Sequence, residues 1–219
     1  MEITLPTGQT LTPRKIVCIG RNYAAHAREL GNEVPEAPVV FLKPSTALVG
    51  DGGTVVLPPQ TQDVHHEVEL VAVIGRPGKN IPEAEALGYV AAYAVGLDMT
   101  ARDLQSELKK KGLPWTLAKG FDTFAPLGPL APAADVADPG DLEITLKVNG
   151  EVRQHGSTSA MLHSVASLVA YCSTLFTLEP GDLLYTGTPE GVAAVQDGDV
   201  LEAEVRGLPP LSVTVRREG

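Results

Sequence analysis

Cysteine, tryptophan and basic residues are all scarce in this chain, and each shortage closes off a class of function. The two cysteines, Cys18 and Cys172, lie far apart inside apolar segments. No CxxC and no Cys/His spacing suited to zinc is present, so a disulfide scaffold or zinc module is excluded. Reduced buried thiols in a cytoplasmic protein are the expectation. Lys and Arg number 17 against 27 Asp and Glu, a formal net charge of −10. A free-standing nucleic-acid binder draws most of its affinity from phosphate neutralisation and needs the opposite balance. The largest basic cluster is Lys109-Lys110-Lys111, read as cations at the negative end of a helix. An anionic substrate is repelled at long range, so any site for one requires a local positive focus.

Long hydrophobic runs are missing too. The stretch from Leu162 to Leu178 is interrupted by His163, several Ser and Thr residues and Tyr171, and reads as a buried or amphipathic helix, not a membrane span. The start, MEITLPTGQT, has neither a basic segment nor an apolar core, so it is not read as a signal peptide. Without repeats, low-complexity tracts or a clear linker, residues 1–219 are expected to form a single domain, with 1–13 as a lead-in.

What is abundant is turn chemistry: 22 Gly and 18 Pro spread along 219 residues imply many short strands. Lys15 to Ile19 reads as a strand leading through Gly20 into a helix from about Asn22 to Leu30, which Gly31 stops. Val39 to Leu42, Thr54 to Leu57 and Val68 to Ile74 read as strands, while Tyr89 to Leu97 fits strand or helix by periodicity. Met99 to Lys111 is predicted helical, with Thr100 and Asp103 as a variant capping box and Gly112 and Pro114 as the stop. Asn149-Gly150 between two alternating segments marks a type I′ hairpin. A helix from Leu162 to Phe176 and strands at 183–186, 200–206 and 211–216 complete the chain. Strands dominate without regular βαβ alternation, so the expected class is α+β, mainly β, built on antiparallel or mixed sheet.

The most informative segment runs from Asp63 to Ile74. Residues two apart on a strand share a face, so Glu67 and Glu69 point together on the face continued by Val71 and Val73. Their α-carbons would be about 6.5–7 Å apart. At an effective dielectric of 20 the two charges repel by roughly 3 kcal/mol, which calls for protonation, solvent or a cation. One reading is a wet strand end; the other is a metal site. Asp98 sits where an apolar run ends and a helix is expected, as either a helix cap or a third ligand. Three carboxylates at strand ends suit a hard ion such as Mg²⁺, with Mn²⁺ as a substitute. His65 and His66 are adjacent, hence on opposite faces, and neither is assigned as a ligand.

Other polar groups leave two readings each. His26 and Glu29, three apart on a helix, are either an exposed pair or a general base with its carboxylate partner. Lys119 lies among apolar residues, where lysine needs an anionic partner; it would supply the positive focus or, as a rival idea, a Schiff base. Arg21 and Lys43 are further cations at loop boundaries. Thr186-Gly187-Thr188-Pro189 is either a tight turn or a backbone cradle for a carboxylate, aided by the Thr188 hydroxyl.

Taken in order, several segments resemble the fumarylacetoacetate hydrolase family: Ile19-Gly20-Arg21-Asn22-Tyr23 with His26 and Glu29, Phe41-Leu42-Lys43-Pro44, and His66-Glu67-Val68-Glu69-Leu70. The resemblance continues through Leu97-Asp98-Met99-Thr100-Ala101-Arg102-Asp103, Leu113-Pro114-Trp115-Thr116-Leu117-Ala118-Lys119, Leu146-Lys147-Val148-Asn149-Gly150 and Thr186-Gly187-Thr188-Pro189. It covers about residues 14 to 216 and is nearest to the short acylpyruvate hydrolase and oxaloacetate decarboxylase type. It implies layered, rolled mixed β-sheets with few helices, a homodimer, and Mg²⁺ on Glu67, Glu69 and Asp98. It implies that residues of about 21–31 form a helical lid carrying His26 and Glu29. Lys119 and Gln105 match positions that contact substrate oxygens and water, and Arg21, Arg102 and Thr188 match positions near the bound acid. The N-terminal SH3-like domain of longer members is not expected. The implied activity is hydrolysis of the C–C bond in acylpyruvates, with oxaloacetate decarboxylation beside it. Isomerisation of 2-hydroxy-2,4-diene-dioates, oxaloacetate tautomerisation, and a non-catalytic 2-oxo acid binder are the alternatives.

Overall fold

In the computed structural model, which describes residues 1–29, 31 and 33–219, the chain is mainly β. It opens with two short paired strands, β1 (Ile3–Thr4) and β2 (Thr10–Leu11), then β3 (Ile16–Gly20) and the helix α1 (Ala24–Glu29). Strands β4 (Val39–Lys43), β5 (Leu48–Gly50), β6 (Thr54–Leu57), β7 (Val64–His65) and β8 (Val68–Ile74) follow. A short α2 (Glu83–Ala86) leads to β9 (Val90–Leu97), β10 (Thr100–Ala101), α3 (Arg102–Lys111) and α4 (Thr116–Lys119). Then come β11 (Ala125–Leu127), β12 (Ala131–Pro132), the hairpin β13 (Glu143–Val148) and β14 (Glu151–Ser157), and α5 (Val165–Leu175). Strands β15 (Leu183–Tyr185), β16 (Val200–Val205) and β17 (Leu211–Arg217) end the chain.

Two mixed sheets carry the architecture. The larger has the order β4-β3-β15-β8-β9-β11-β5 with β12 beside β9; the smaller has β14-β13-β16-β17-β6. Every residue of β8 is buried, whereas β13 and β16 alternate between buried and more exposed positions. A strand covered on both faces reads as a continuous apolar run, and one covered on a single face alternates. Leu70, Ala72 and Ile74 of β8 pack in one core with Leu146, Leu201 and Val213 of the smaller sheet. Val71 and Val73 face a second cluster with Ile16, Cys18, Ala94 and Tyr185. Each fully buried aliphatic side chain of this kind stabilises by about 1.5–3 kcal/mol.

The structure resolves some expectations and corrects others. The 90–97 segment is strand, because it pairs with β8 along its length and with β11 and β12 on its other edge. The first helix begins at Ala24; Asn22 is not helical but donates from Nδ2 to the His163 and Thr186 carbonyls at 3.0 and 2.8 Å. Its expected last residue, Leu30, lies outside the described residues, and Gly31 is left-handed at φ 65°. Helix α3 starts at Arg102, since Thr100 and Ala101 are held in a ladder with β7. Thr100 therefore caps nothing, and Asp103 instead accepts from Thr61 Oγ1 and the Gln62 N–H. The Asn149-Gly150 turn has φ of 53° and 81°, as a type I′ hairpin requires. Among the described residues no helix is long and apolar enough to cross a membrane.

Candidate metal and active site

Glu67 precedes β8 and Glu69 lies within it, while Asp98 follows directly after β9. The β8–β9 ladder sets Val68 opposite Leu97 and Glu69 opposite Gly96. Beyond its end, the Asp98 N–H donates to the Glu67 carbonyl at 2.8 Å. Gly96 leaves no room for a side chain there: a Cβ would lie 2.5 Å from Val71 Cγ2 and 2.6 Å from the Tyr185 ring. The neighbouring ends of two antiparallel strands thus carry the three acids, and one oxygen from each lies within 4.8 Å of the others. All three are buried.

Cations surround them. Lys119, from α4, places Nζ 2.8 Å from Glu67 Oε2 and 2.6 Å from Asp98 Oδ2. Arg102, at the start of α3, pairs with the other Glu67 oxygen. Lys43, at the end of β4, lies 2.7 Å from Asp98 Oδ1 and donates to the Met99 and Phe124 carbonyls. Burial alone would raise the Glu67 carboxyl, but the Lys119 and Arg102 charges hold it well below the usual range. Burial also opposes charge on Lys119, yet Asp98 and Glu67 keep it raised and protonated. Glu69 behaves differently. Its one hydrogen bond among the described residues is from the Gly187 N–H, at 2.8 Å. Burial, then Asp98 and Glu67, push its carboxyl well above the usual range. Converging hard oxygen donors, one of them short of positive charge, fit a divalent ion such as Mg²⁺ or Mn²⁺. His65 and His66 stand outside the group, bonded to Asp63 and Gln154.

His26 is buried on α1 and its Nδ1 lies 3.4 Å from Glu29 Oε2. A carboxylate accepts, so Nδ1 carries the hydrogen and Nε2 keeps its lone pair. Burial lowers the imidazole pKa below 6.5, against the opposing pull of Glu67, and the ring is neutral near neutral pH. Glu29 is held in turn by the Gly191 N–H, 3.0 and 3.2 Å from its two oxygens. Of the residues singled out from sequence, one cavity is lined by Arg21, His26, Glu67, Glu69, Arg102, Gln105, Lys119 and Thr188. Asp98 and Glu29 are not among its walls but contact Lys119 and His26, which are. Arg21 is held in a left-handed conformation at φ 59°, and its guanidinium lies 6.0 Å from the Trp115 ring centroid. The Arg102 guanidinium, besides Glu67, donates to Gln105 Oε1 at 2.7 Å, which leaves the Gln105 NH₂ as the donor end.

Four further neighbours of the site were given no site role from the sequence. Lys43 stood out as a cation at a loop boundary and within the Phe41-Leu42-Lys43-Pro44 segment, with no role assigned to it. Trp115 forms a wall of the cavity. Lys109, read only as a helix-end cation, also lines it; burial, with Arg21 and Arg102, lowers its amine to about 8. Gln154, from the smaller sheet, bonds to His66 and Thr188.

Comparison with known proteins agrees with this geometry. The model of the fumarylacetoacetate (FAA) hydrolase C-terminal family matches residues 15–216. An oxaloacetate tautomerase, FAHD1 of Arabidopsis thaliana, is 51% identical over 203 residues, covering 93% of this chain and 91% of its own. A fumarylpyruvate hydrolase from Pseudomonas aeruginosa, solved in complex with Mn²⁺ and pyruvate, superposes with a TM-score of 0.94 at 46% identity, covering 100% of this chain and 96% of its own. A 5-carboxymethyl-2-hydroxymuconate delta-isomerase from Mycobacterium smegmatis gives 0.85 at 45% identity, over 95% and 81% of the two chains. These relatives are enzymes named for hydrolysis, isomerisation and tautomerisation. Their similarity spans both sheets and every segment that lines the cavity, so this chain belongs to the fumarylacetoacetate hydrolase family.

Proposed function

We propose that this chain is a divalent-metal-dependent hydrolase that cleaves the C–C bond of acylpyruvates, with residues 1–219 acting as one catalytic unit and α1 as a lid. The observation that carries the reading is that Glu67 and Glu69 line one cavity with a neutral, buried imidazole, while Asp98 completes their buried carboxylate cluster from behind its wall. Glu67, Glu69 and Asp98 would hold the ion, Mg²⁺ or Mn²⁺. When bound, it supplies Lewis-acid stabilisation of the negative charge that develops on the 2-oxo oxygen of the substrate.

The chain's own groups do the rest. Arg21 and Thr188 bind the substrate carboxylate in a cavity whose net-negative protein would otherwise repel it. Arg102, engaged by Glu67 and Gln105, serves more to set those two side chains. His26 Nε2 takes a proton from water as the oxygen attacks the 4-carbonyl carbon, and Glu29 fixes the ring through Nδ1–H. Lys119 and the Gln105 NH₂ donate to the oxygen that gains charge. The C3–C4 bond then breaks, releasing a carboxylic acid and pyruvate as its enolate, which takes up a proton at C3.

A second reading is oxaloacetate tautomerisation, favoured by the 51% identity to the Arabidopsis enzyme of that name. There His26 moves a proton between C3 and oxygen, the C3–H bond breaks or forms, and no carbon–carbon bond is cut. Incubation with acetylpyruvate and with oxaloacetate, plus Mg²⁺, followed by NMR, separates the two. Acetate and pyruvate from the first are expected. Faster enol–keto exchange of the second without cleavage of the first would favour tautomerisation. No turnover of either, with 2-oxo acid binding retained, would leave a binding protein.

A further inference from the structure

Gln154 belongs to β14 of the smaller sheet, yet its side chain is buried and reaches the site formed by the larger one. All four of its hydrogen-bonding positions are used. Oε1 accepts from the Val68 N–H at 3.1 Å and lies 2.9 Å from His66 Nδ1. Nε2 donates to the Pro189 carbonyl at 2.9 Å and to Thr188 Oγ1 at 2.8 Å. A backbone N–H only donates and a carbonyl only accepts, so the amide has a single orientation. Thr188 is therefore the acceptor of its bond with Gln154. A threonine hydroxyl has one hydrogen, and among the described residues that hydrogen has no acceptor. Thr188 is buried and lines the cavity beside His26 and Glu67.

We propose that Gln154 is a positioning residue: by donating into Thr188 Oγ1 it commits the Thr188 hydroxyl to donate to the carboxylate of a bound 2-oxo acid. The inference rests on the 2-oxo acid reading above. A hydroxyl free of Gln154 could rotate and would present a lone pair to an anion part of the time. With Gln154 in place, the lone pair is occupied and only the hydrogen faces the ligand. Strand β8 and the 186–191 loop are tied by the same amide, so a variant must distinguish hydroxyl orientation from loosened packing.

A double-mutant cycle on pyruvate binding makes that distinction. Pyruvate is titrated calorimetrically into Mg²⁺-loaded wild type, Gln154→Met, Thr188→Val and the double variant. Loss of one hydrogen bond to a charged group predicts about tenfold weaker binding for Thr188→Val. Gln154→Met should weaken it by a similar factor, and the double variant should bind no more weakly than Thr188→Val alone. A Gln154→Met loss that multiplies fully onto the Thr188→Val loss overturns the proposal. If Gln154→Met fails to fold, the wild-type protein still decides. The Gln154 side-chain ¹⁵NH₂ signals should shift on saturation with pyruvate and should not shift in Thr188→Val; no shift in wild type overturns it. Wild type that binds Mg²⁺ but no pyruvate would instead reject the 2-oxo acid reading on which this inference stands.

Discussion

Glu69 and Glu29 are both carboxylates that accept a glycine N–H, from Gly187 and Gly191, four residues apart in one loop. There the likeness ends. Glu69 is sealed inside a strand bonded on both edges, whereas the Glu29 side chain is 35% exposed on a six-residue helix. A helix that short has no stability of its own and depends on what it packs against. A rigid buried floor suits ligands whose spacing must not change. A short helix tethered by side chains suits a base that must meet and release substrate. Damage to the floor should therefore remove binding, and damage to the helix should remove turnover alone.

The largest effect is expected from the floor. Glu69→Gln should lower Mg²⁺-dependent activity by about three orders of magnitude or more, with Mg²⁺ binding lost by calorimetry. Stability should move the other way in chelator. The Glu69 carboxyl is raised in the folded state, so ionising it opposes folding progressively as pH rises above its unfolded value. At neutral pH, metal-free Glu69→Gln should melt no lower than metal-free wild type. A large drop in its melting temperature would mean that Glu69 stabilises the fold directly.

Next in size is the helix. Glu29→Ala should cut hydrolysis by about 10²–10⁴ while Mg²⁺ binding stays intact. Full residual activity would reject the His26–Glu29 pair. A subtler change is expected in the pH profile. Burial lowers the His26 pKa, and the base works as neutral imidazole, so kcat/KM should fall on acidification with a midpoint below 6.5. Glu29 raises that pKa, so Glu29→Gln should move the acid limb lower still; a move upward would contradict the assignment. The smallest effect comes from the β13–β14 turn. Asn149→Ala forces alanine to φ 53° and should cost roughly 1–2 kcal/mol, read as a drop of a few degrees in Tm with kcat unchanged.

Much of the floor was legible because strand geometry has a period of two. Glu67 and Glu69 face one way with Val71 and Val73, as alternation required. Asp98 was harder, since a residue between an apolar run and a helix reads equally as a cap. The β8–β9 pairing is what brings it beside Glu67 and Glu69. Local rules failed where tertiary pairing overrode them, as when β7 held Thr100 and Ala101 extended and delayed the start of α3. Gln154 left no trace because its partners Val68 and Thr188 lie 86 and 34 positions away, and Lys43 showed only as a cation because its partner Asp98 lies 55 positions away. A polar residue on an alternating hairpin strand looks the same whether it faces solvent or a second sheet.

The three acids sit at one end of the β8–β9 ladder, and the connection between those strands, residues 75–89, leaves from the other. Seven paired positions at about 3.3 Å each put roughly 20 Å of sheet between them. Insertions or deletions in that connection are thus insulated from the spacing of the three carboxylates. A single residue gained or lost inside either strand would turn a carboxylate to the opposite face. Length variation among homologous chains should accordingly collect in the 75–89 connection and be absent from the strands beside it.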